Sequence, residues 1–207
     1  MSKSFKVFLN PIEGQEKWLN EKSAAGLKLS GVGRFTYEFT KCEPNQYQYA
    51  VDYIGNKSNI QRKEYESFLD DLKINYYEKP LNFGQFSIGR TKYRPYAGKG
   101  GKLAASKGMI NREILILEKE NNGKTFNIYN NVKDKIIALK ERKKPYIYLL
   151  TFMIAMELYF SYINNRNIFG NNTSSILIGI IGIFSLIKII QLSLSVKTLN
   201  EKKSIYE

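Results

Sequence analysis

Two long apolar stretches toward the C-terminal end constrain this chain more than any other feature. Tyr146–Ile163 reads YIYLLTFMIAMELYFSYI and Ser174–Val196 reads SSILIGIIGIFSLIKIIQLSLSV, with a polar segment, 164–173, between them. A helix needs roughly 20 mainly apolar residues to cross a hydrocarbon core ~30 Å thick. Both stretches meet that length, and each carries one charge, Glu157 in the first and Lys188 in the second. The expectation is a two-helix transmembrane hairpin; the soluble alternative is a helical hairpin buried in a globular domain. Tyr146, Tyr148, Tyr159 and Tyr162 lie near the ends of the first stretch, where amphipathic rings seek the membrane interface.

The flanks set the expected orientation. Lys140, Arg142, Lys143 and Lys144 precede the first stretch, Lys197, Lys202 and Lys203 follow the second, and Arg166 alone lies between them. Basic flanks stay cytoplasmic, so both termini are expected in the cytosol and segment 164–173 outside, in a multi-pass cell-membrane protein with two spans. Met1–Lys6 has no apolar core of a signal peptide. Asn171 and Asn172 fit the glycosylation pattern but sit too close to the membrane to be informative. The chain thus divides into an α+β domain (1–130, with a basic insertion at 90–122) and a juxtamembrane basic helix (131–144). A first span (145–163), an external loop (164–173), a second span (174–196) and a cytoplasmic tail (197–207) complete it.

An ionisable group deep in a span costs roughly 2.5–3.5 kcal/mol on insertion scales. Counted from Pro145, Glu157 lies ~18 Å along its helix, and counted from Val196, Lys188 lies ~12 Å along the other. The two depths differ by ~6 Å, within reach of a lysine stem, which predicts an intramembrane Glu157–Lys188 ion pair. A buried charge on a partner protein and snorkelling are the alternatives. Ser175, Gly179 and Gly182 form a small-residue stripe suited to close helix packing, with the opposite face left for a partner or a second copy in a homodimer.

Composition removes several chemistries. The chain has no histidine and one cysteine, Cys42, so it holds neither a histidine-based catalytic triad nor an intrachain disulfide nor a CxxC metal site. No catalytic residue, metal ligand or cofactor is expected, and the lone thiol is expected to be inert. The net charge is +13, from 32 basic and 19 acidic residues, which favours acidic partners such as an anionic bilayer or nucleic acid.

Residues 1–130 alternate like a small α+β domain. Strands are predicted at Phe5–Leu9, Leu27–Ser30, Arg34–Phe39 and Tyr47–Tyr53, with a helix at Glu16–Ala25 closed by Gly26. A second helix at Arg62–Lys73 precedes strands at Asn75–Glu78 and Phe83–Ile88, and Ile114–Leu117 is a buried strand. Two strand-helix-strand-strand repeats suggest one ferredoxin-like antiparallel sheet with both helices on one face.

The stretch Glu16–Glu21, Ala24–Gly26, Gly33–Phe39 with Cys42-Glu43-Pro44, and Tyr47–Tyr53 resembles a bacterial family called domain of unknown function 2812. The resemblance covers roughly residues 4 to 90 and resumes at Phe126–Asn130. Members of that family often sit beside a PadR-type transcriptional regulator, which implies membrane-linked transcription regulation rather than metabolism. It has no catalytic residues to carry over, and this chain departs from its pattern between Arg90 and Asn122.

That departing stretch opens with Arg90–Lys102, where basic and aromatic residues alternate around a glycine cluster. Lys92, Arg94, Lys99 and Lys102 suit contact with an anion or phosphate, and Tyr93 and Tyr96 suit base stacking. The spacing is not that of a Walker loop, and a solvated basic loop beside an anionic membrane is the plainer reading. The expected function is a non-enzymatic membrane-anchored adaptor or sensor whose cytoplasmic domain binds a protein, in particular a PadR-type regulator. The alternatives are a membrane-tethered nucleic-acid-binding protein using loop 90–102 and an accessory subunit of a membrane transport complex.

Overall fold

The computed structural model describes residues 2–8, 10–81, 86–88, 91–95, 102–104, 113–129, 131–165 and 173–206. They fall into two compact units, one comprising 1–82, 89–92 and 97–128, the other 83–88, 93–96 and 129–207.

The first unit begins β1 (Ser2–Phe5), α1 (Glu13–Ala24), β2 (Leu27–Val32), β3 (Thr36–Lys41). It continues β4 (Tyr47–Tyr53), α2 (Asn59–Asp71), β5 (Asn75–Lys79). Three short strands follow along the chain, β6 (Phe86–Ile88), which falls in the second unit, β7 (Thr91–Tyr93) and β8 (Leu103–Ala104), before β9 (Ile114–Glu120) of the first unit. The main strands form two antiparallel three-stranded sheets, ordered β1-β3-β2 and β4-β9-β5. The predicted repeat is present in a form the periodicity did not reveal. In each copy a strand, a helix and a second strand are followed by a third strand that inserts between the first two.

In the second copy that third strand is β9, not the predicted Phe83–Ile88, and the main strands form two sheets rather than one ferredoxin-like sheet. The reason lies in β9's side chains. Ile114, Leu115, Ile116 and Leu117 are apolar on both faces and fully buried, which suits a central strand and not an edge. Leu115 and Leu117 join Ala50, Ile54 and Leu69 in one cluster, closed by Tyr65, Ile74, Tyr76, Phe126 and Ile128. The first strand also moves from its predicted place, ending at Phe5. Phe8 leaves the strand to pack edge-on against Trp18 at 5.5 Å and Tyr37 at 6.0 Å.

Both helices carry sharp end signals. Ser58 caps α2 in a reciprocal box with Gln61, its Oγ accepting from the Gln61 N–H while the Gln61 side chain accepts from the Ser58 N–H. At the other end Lys73 takes the left-handed conformation (φ 55°), and the Ile74 and Lys73 amides donate to the Leu69 and Asp70 carbonyls. Gly26 does the equivalent work after α1 at φ 74°. A Cβ there would stand 3.0 Å from the Cys42 carbonyl oxygen, so the position needs glycine twice over.

Helix α1 also satisfies the open edge of β4. The Asn20 side chain accepts from the Tyr49 N–H at 3.0 Å and donates to the Tyr49 carbonyl at 2.8 Å. One turn earlier Glu16 accepts from the Val51 N–H at 3.0 Å, and one turn later Ser23 donates to the Tyr47 carbonyl at 2.6 Å. Positions 16, 20 and 23 lie on one helical face, and 47, 49 and 51 lie on one side of the strand, so two periodicities are matched. The helix thereby takes the place of a neighbouring strand, a protection that edge strands need.

The second unit carries α3 (Val132–Ile163) and α4 (Thr173–Tyr206). Two predicted helix boundaries disappear. Pro145 lies inside α3 rather than at its start, so the juxtamembrane helix and the first span are one element. The predicted tail from 197 continues α4. A proline in mid-helix forfeits one i to i−4 bond but does not end the helix here, where the turns on both sides persist.

Candidate functional site

The most concentrated polar chemistry in the first unit surrounds Glu118. Along β9 the residues Ile114, Ile116 and Glu118 share one face by alternation, and Glu118 is fully buried there. Its cross-strand neighbours in the sheet are Tyr49 and Asn75. Tyr49 Oη donates to Glu118 Oε2 at 2.8 Å and Asn75 Nδ2 to Oε1 at 3.2 Å. Lys28 Nζ, from β2 in the other sheet, approaches Oε1 at 3.4 Å and lies over the Tyr47 ring at 4.2 Å. Burial works against the Lys28 charge, but Tyr47 and Glu118 outweigh it and its pKa rises.

The same face joins the two sheets through β2's main chain. Tyr49 Oη accepts from the Leu29 N–H at 2.8 Å, and Tyr77 Oη donates to the Leu29 carbonyl at 2.8 Å. Burial pushes both phenols above their ordinary pKa, so both keep the protons these bonds require. Glu118 therefore acts as a brace: both its oxygens are engaged by protein donors, and those donors in turn hold the neighbouring sheet. Cys42 lies in the field of Lys28 and Glu118, and burial raises its pKa and keeps it a protonated thiol.

A buried cation, Lys79, ends β5. Its Nζ donates to the Gly33 carbonyl at 3.0 Å and the Arg34 carbonyl at 2.6 Å, and stands 4.6 Å from the centre of the Tyr37 ring. Tyr37 Oη donates to Gln15 Oε1 at 2.8 Å. Burial lowers the Lys79 pKa to about 8 and raises that of Tyr37. The unfolded chain therefore binds more protons than the folded one between about pH 8 and the ordinary lysine range near 10.5. Stability is expected to rise with pH from about 8 to about 10, then fall as the tyrosines ionise in the unfolded chain. Chemical denaturation of the full chain in detergent at stepped pH measures this. Lys79→Met is expected to flatten the rise, and an unchanged slope in that variant would refute the assignment.

Neither buried cluster was singled out from sequence. The available signal was β9 itself: extending Ile114–Leu117 by one residue places Glu118 on the same inward face as two isoleucines. Lys28, Tyr49, Asn75 and Lys79 carried no comparable mark, because their partners lie in other elements. Among the described residues no three of His, Cys, Asp and Glu cluster as metal ligands.

In the second unit, Glu157 is buried in the hairpin and its Oε1 accepts from Ser175 Oγ at 2.8 Å. Lys143 Nζ donates to Ser193 Oγ at 3.3 Å, Tyr146 meets Phe184 edge-on at 6.3 Å, and a Cβ on Gly182 would touch Leu150 at 3.8 Å. These contacts set the register of α3 on α4. On it Lys188 lies level with residue 144, about 13 residues and ~20 Å of helix axis from Glu157.

The expected Glu157–Lys188 pair is thus corrected to a Glu157–Ser175 hydrogen bond. Pro145 and Val196 do not stand at one level, because α4 runs on past Val196. Of the small-residue stripe, Ser175 and Gly182 face α3, a Cβ added at Gly179 would meet nothing within 4 Å, and the fully buried Ser185 takes part instead. Ser175→Ala is expected to weaken the hairpin by ~0.6–2 kcal/mol, measured by steric trapping or unfolding in bicelles. No loss would show that the bond carries nothing.

The basic loop is divided. Tyr96 and Lys99 lie outside the described residues, as does the Lys92 side chain. Tyr93 and Lys102 are exposed. Arg94, expected as an anion or phosphate contact, is 4% exposed and interacts within the protein.

Comparison with known proteins adds one match. The family described as protein of unknown function (DUF2812) matches residues 11–151, which include all of α1 to β5, β9 and the first half of α3. No curated protein and no solved structure matches the chain.

Proposed function

The chain belongs to the DUF2812 family, and from that premise we propose a non-enzymatic, membrane-anchored adaptor or sensor. Its α+β unit faces the cytosol and binds a protein partner, for which a PadR-type transcriptional regulator is the first candidate. The observation that carries the reading is the outer surface of the hairpin. Two helices are long and apolar enough to cross a membrane, and Ile154, Leu158, Ile176, Leu177, Ile180 and Ile183 on them are 49–61% exposed. Such a ring of aliphatic side chains is unfavourable in water and suited to lipid. The basic residues at 140–144 and 197–203 support an orientation with both termini inside.

The test is crosslinked capture from membranes of the full-length chain beside a copy lacking 145–207, with mass spectrometry. A transcriptional regulator recovered with the full chain and lost on truncation supports membrane-coupled regulation. Recovery of transport or envelope proteins alone redirects the reading to an accessory subunit. Release of the full chain by alkaline carbonate refutes the anchor itself.

A further inference from the structure

The register of the hairpin places Lys188 where its sequence neighbourhood does not. Surrounded by Leu186, Ile187, Ile189 and Ile190, it looks like a charge within a span. In the structure it stands level with the basic segment of α3, and its side chain is partly exposed beside exposed Lys140 and Lys144 and partly exposed Lys143. Five cations, Lys140, Arg142, Lys143, Lys144 and Lys188, and one carboxylate, Glu141, thus share one level of the hairpin. Glu141 is taken up by Lys144 at 2.6 Å, and Lys143 reaches across to Ser193. On one side of this level lie the exposed aliphatic side chains Ile147 and Ile187, and on the other Ile137, Ile190 and Leu194 are exposed as well.

A belt of cations bordered by exposed aliphatic side chains matches one surface chemically, the anionic phosphates of a phospholipid leaflet. We propose that Lys188 is a headgroup ligand, and that with Lys140, Lys143 and Lys144 it forms a collar that selects anionic phospholipid at the cytosolic boundary. This deepens the membrane-anchor reading and rests on it. The apolar length left inside is ~27 Å for 146–163 on α3 and ~23 Å for 173–187 on α4, both shorter than the ~30 Å hydrocarbon core. A short span draws headgroups and lysine stems toward each other, which places the Lys188 amine at phosphate depth.

The experiment uses the full-length chain in nanodiscs of equal phosphatidylglycerol and phosphatidylcholine, with retained lipid counted by native mass spectrometry. The wild type is expected to retain phosphatidylglycerol preferentially. Lys188→Leu is expected to reduce that preference about fivefold, Lys188→Arg to preserve it, and Lys197→Gln, ~14 Å further along α4, to leave it unchanged. An unaltered preference in Lys188→Leu, or an equal loss in Lys197→Gln, overturns the collar. Carbonate extraction of the same proteins separates the two readings: wild type that stays in the membrane but shows no lipid preference sinks the collar alone. Wild type that washes off sinks the anchor, and the collar with it.

Discussion

Glu118→Ala is expected to lower the unfolding free energy by ~2–4 kcal/mol, the consequence of removing a buried charged acceptor from the donors that surround it. The variant deletes acceptors used by Tyr49, Asn75 and Lys28 at once. Lys28 is left without its carboxylate, and Tyr49 loses the acceptor that orients its hydroxyl toward the Leu29 amide. The two sheets should therefore loosen together, not singly. Trp18 is the sole tryptophan and packs on Tyr37 at 4.9 Å and Phe39 at 5.6 Å, so its fluorescence reports the first sheet directly. Denaturation of the full chain in detergent followed by that signal measures the effect. A loss below ~1 kcal/mol would mean that water or a rearranged partner replaces the carboxylate without difficulty. Lys28→Met in the Glu118→Ala background should recover part of the loss, because the stranded cation goes with it.

Asn20→Ala is expected to cost ~2–4 kcal/mol and to make the protein self-associate. The stability loss follows from one side chain serving both main-chain groups of Tyr49, each of which costs ~1–3 kcal/mol when buried and left unmade. Self-association follows from geometry. With Asn20 gone, the middle of the β4 edge presents a free N–H and C=O, the arrangement to which another strand adds. Size-exclusion chromatography with light scattering, run in the same detergent across a concentration series, reads the second effect. An Asn20→Ala protein that is destabilised but stays in the wild-type oligomeric state would show that Glu16 and Ser23 protect the edge by themselves. Asn20→Asp tests the chemistry more finely: it keeps the acceptor for the Tyr49 amide and loses the donor for its carbonyl, so it should fall between wild type and alanine.

Much of the local structure was open to reading before any fold was known. The β4 strand, Tyr47–Tyr53, coincides with its predicted limits because alternation and the Glu43–Gln46 turn bound it on one side. The α1 helix is located by its amphipathic pattern and by Gly26, whose positive φ no other residue adopts as cheaply. The two apolar stretches are equally legible, since their length against a bilayer needs no tertiary information. These are properties of neighbours along the chain, governed by periods of 2 and 3.6 residues.

What the sequence alone could not settle is which distant segments meet. The place of β9 between β4 and β5 depends on a connection that runs from residue 80 to 113, and nothing local in Ile114–Glu120 names its partners. Glu16, Asn20 and Ser23 look like an ordinary polar helix face until β4 is laid beside them. Glu118 looks like a surface carboxylate until Lys28, Tyr49 and Asn75 arrive from three other strands. The hairpin shows the same limit: each helix was readable by itself, but register is a relation between two of them. Seen without it, Glu157 and Lys188 are two opposite charges at similar depth; the packed hairpin seats one against Ser175 and carries the other to the level of Lys144. Hydrophobic length and backbone preference are written residue by residue, whereas buried polar chemistry exists only between residues that folding brings together.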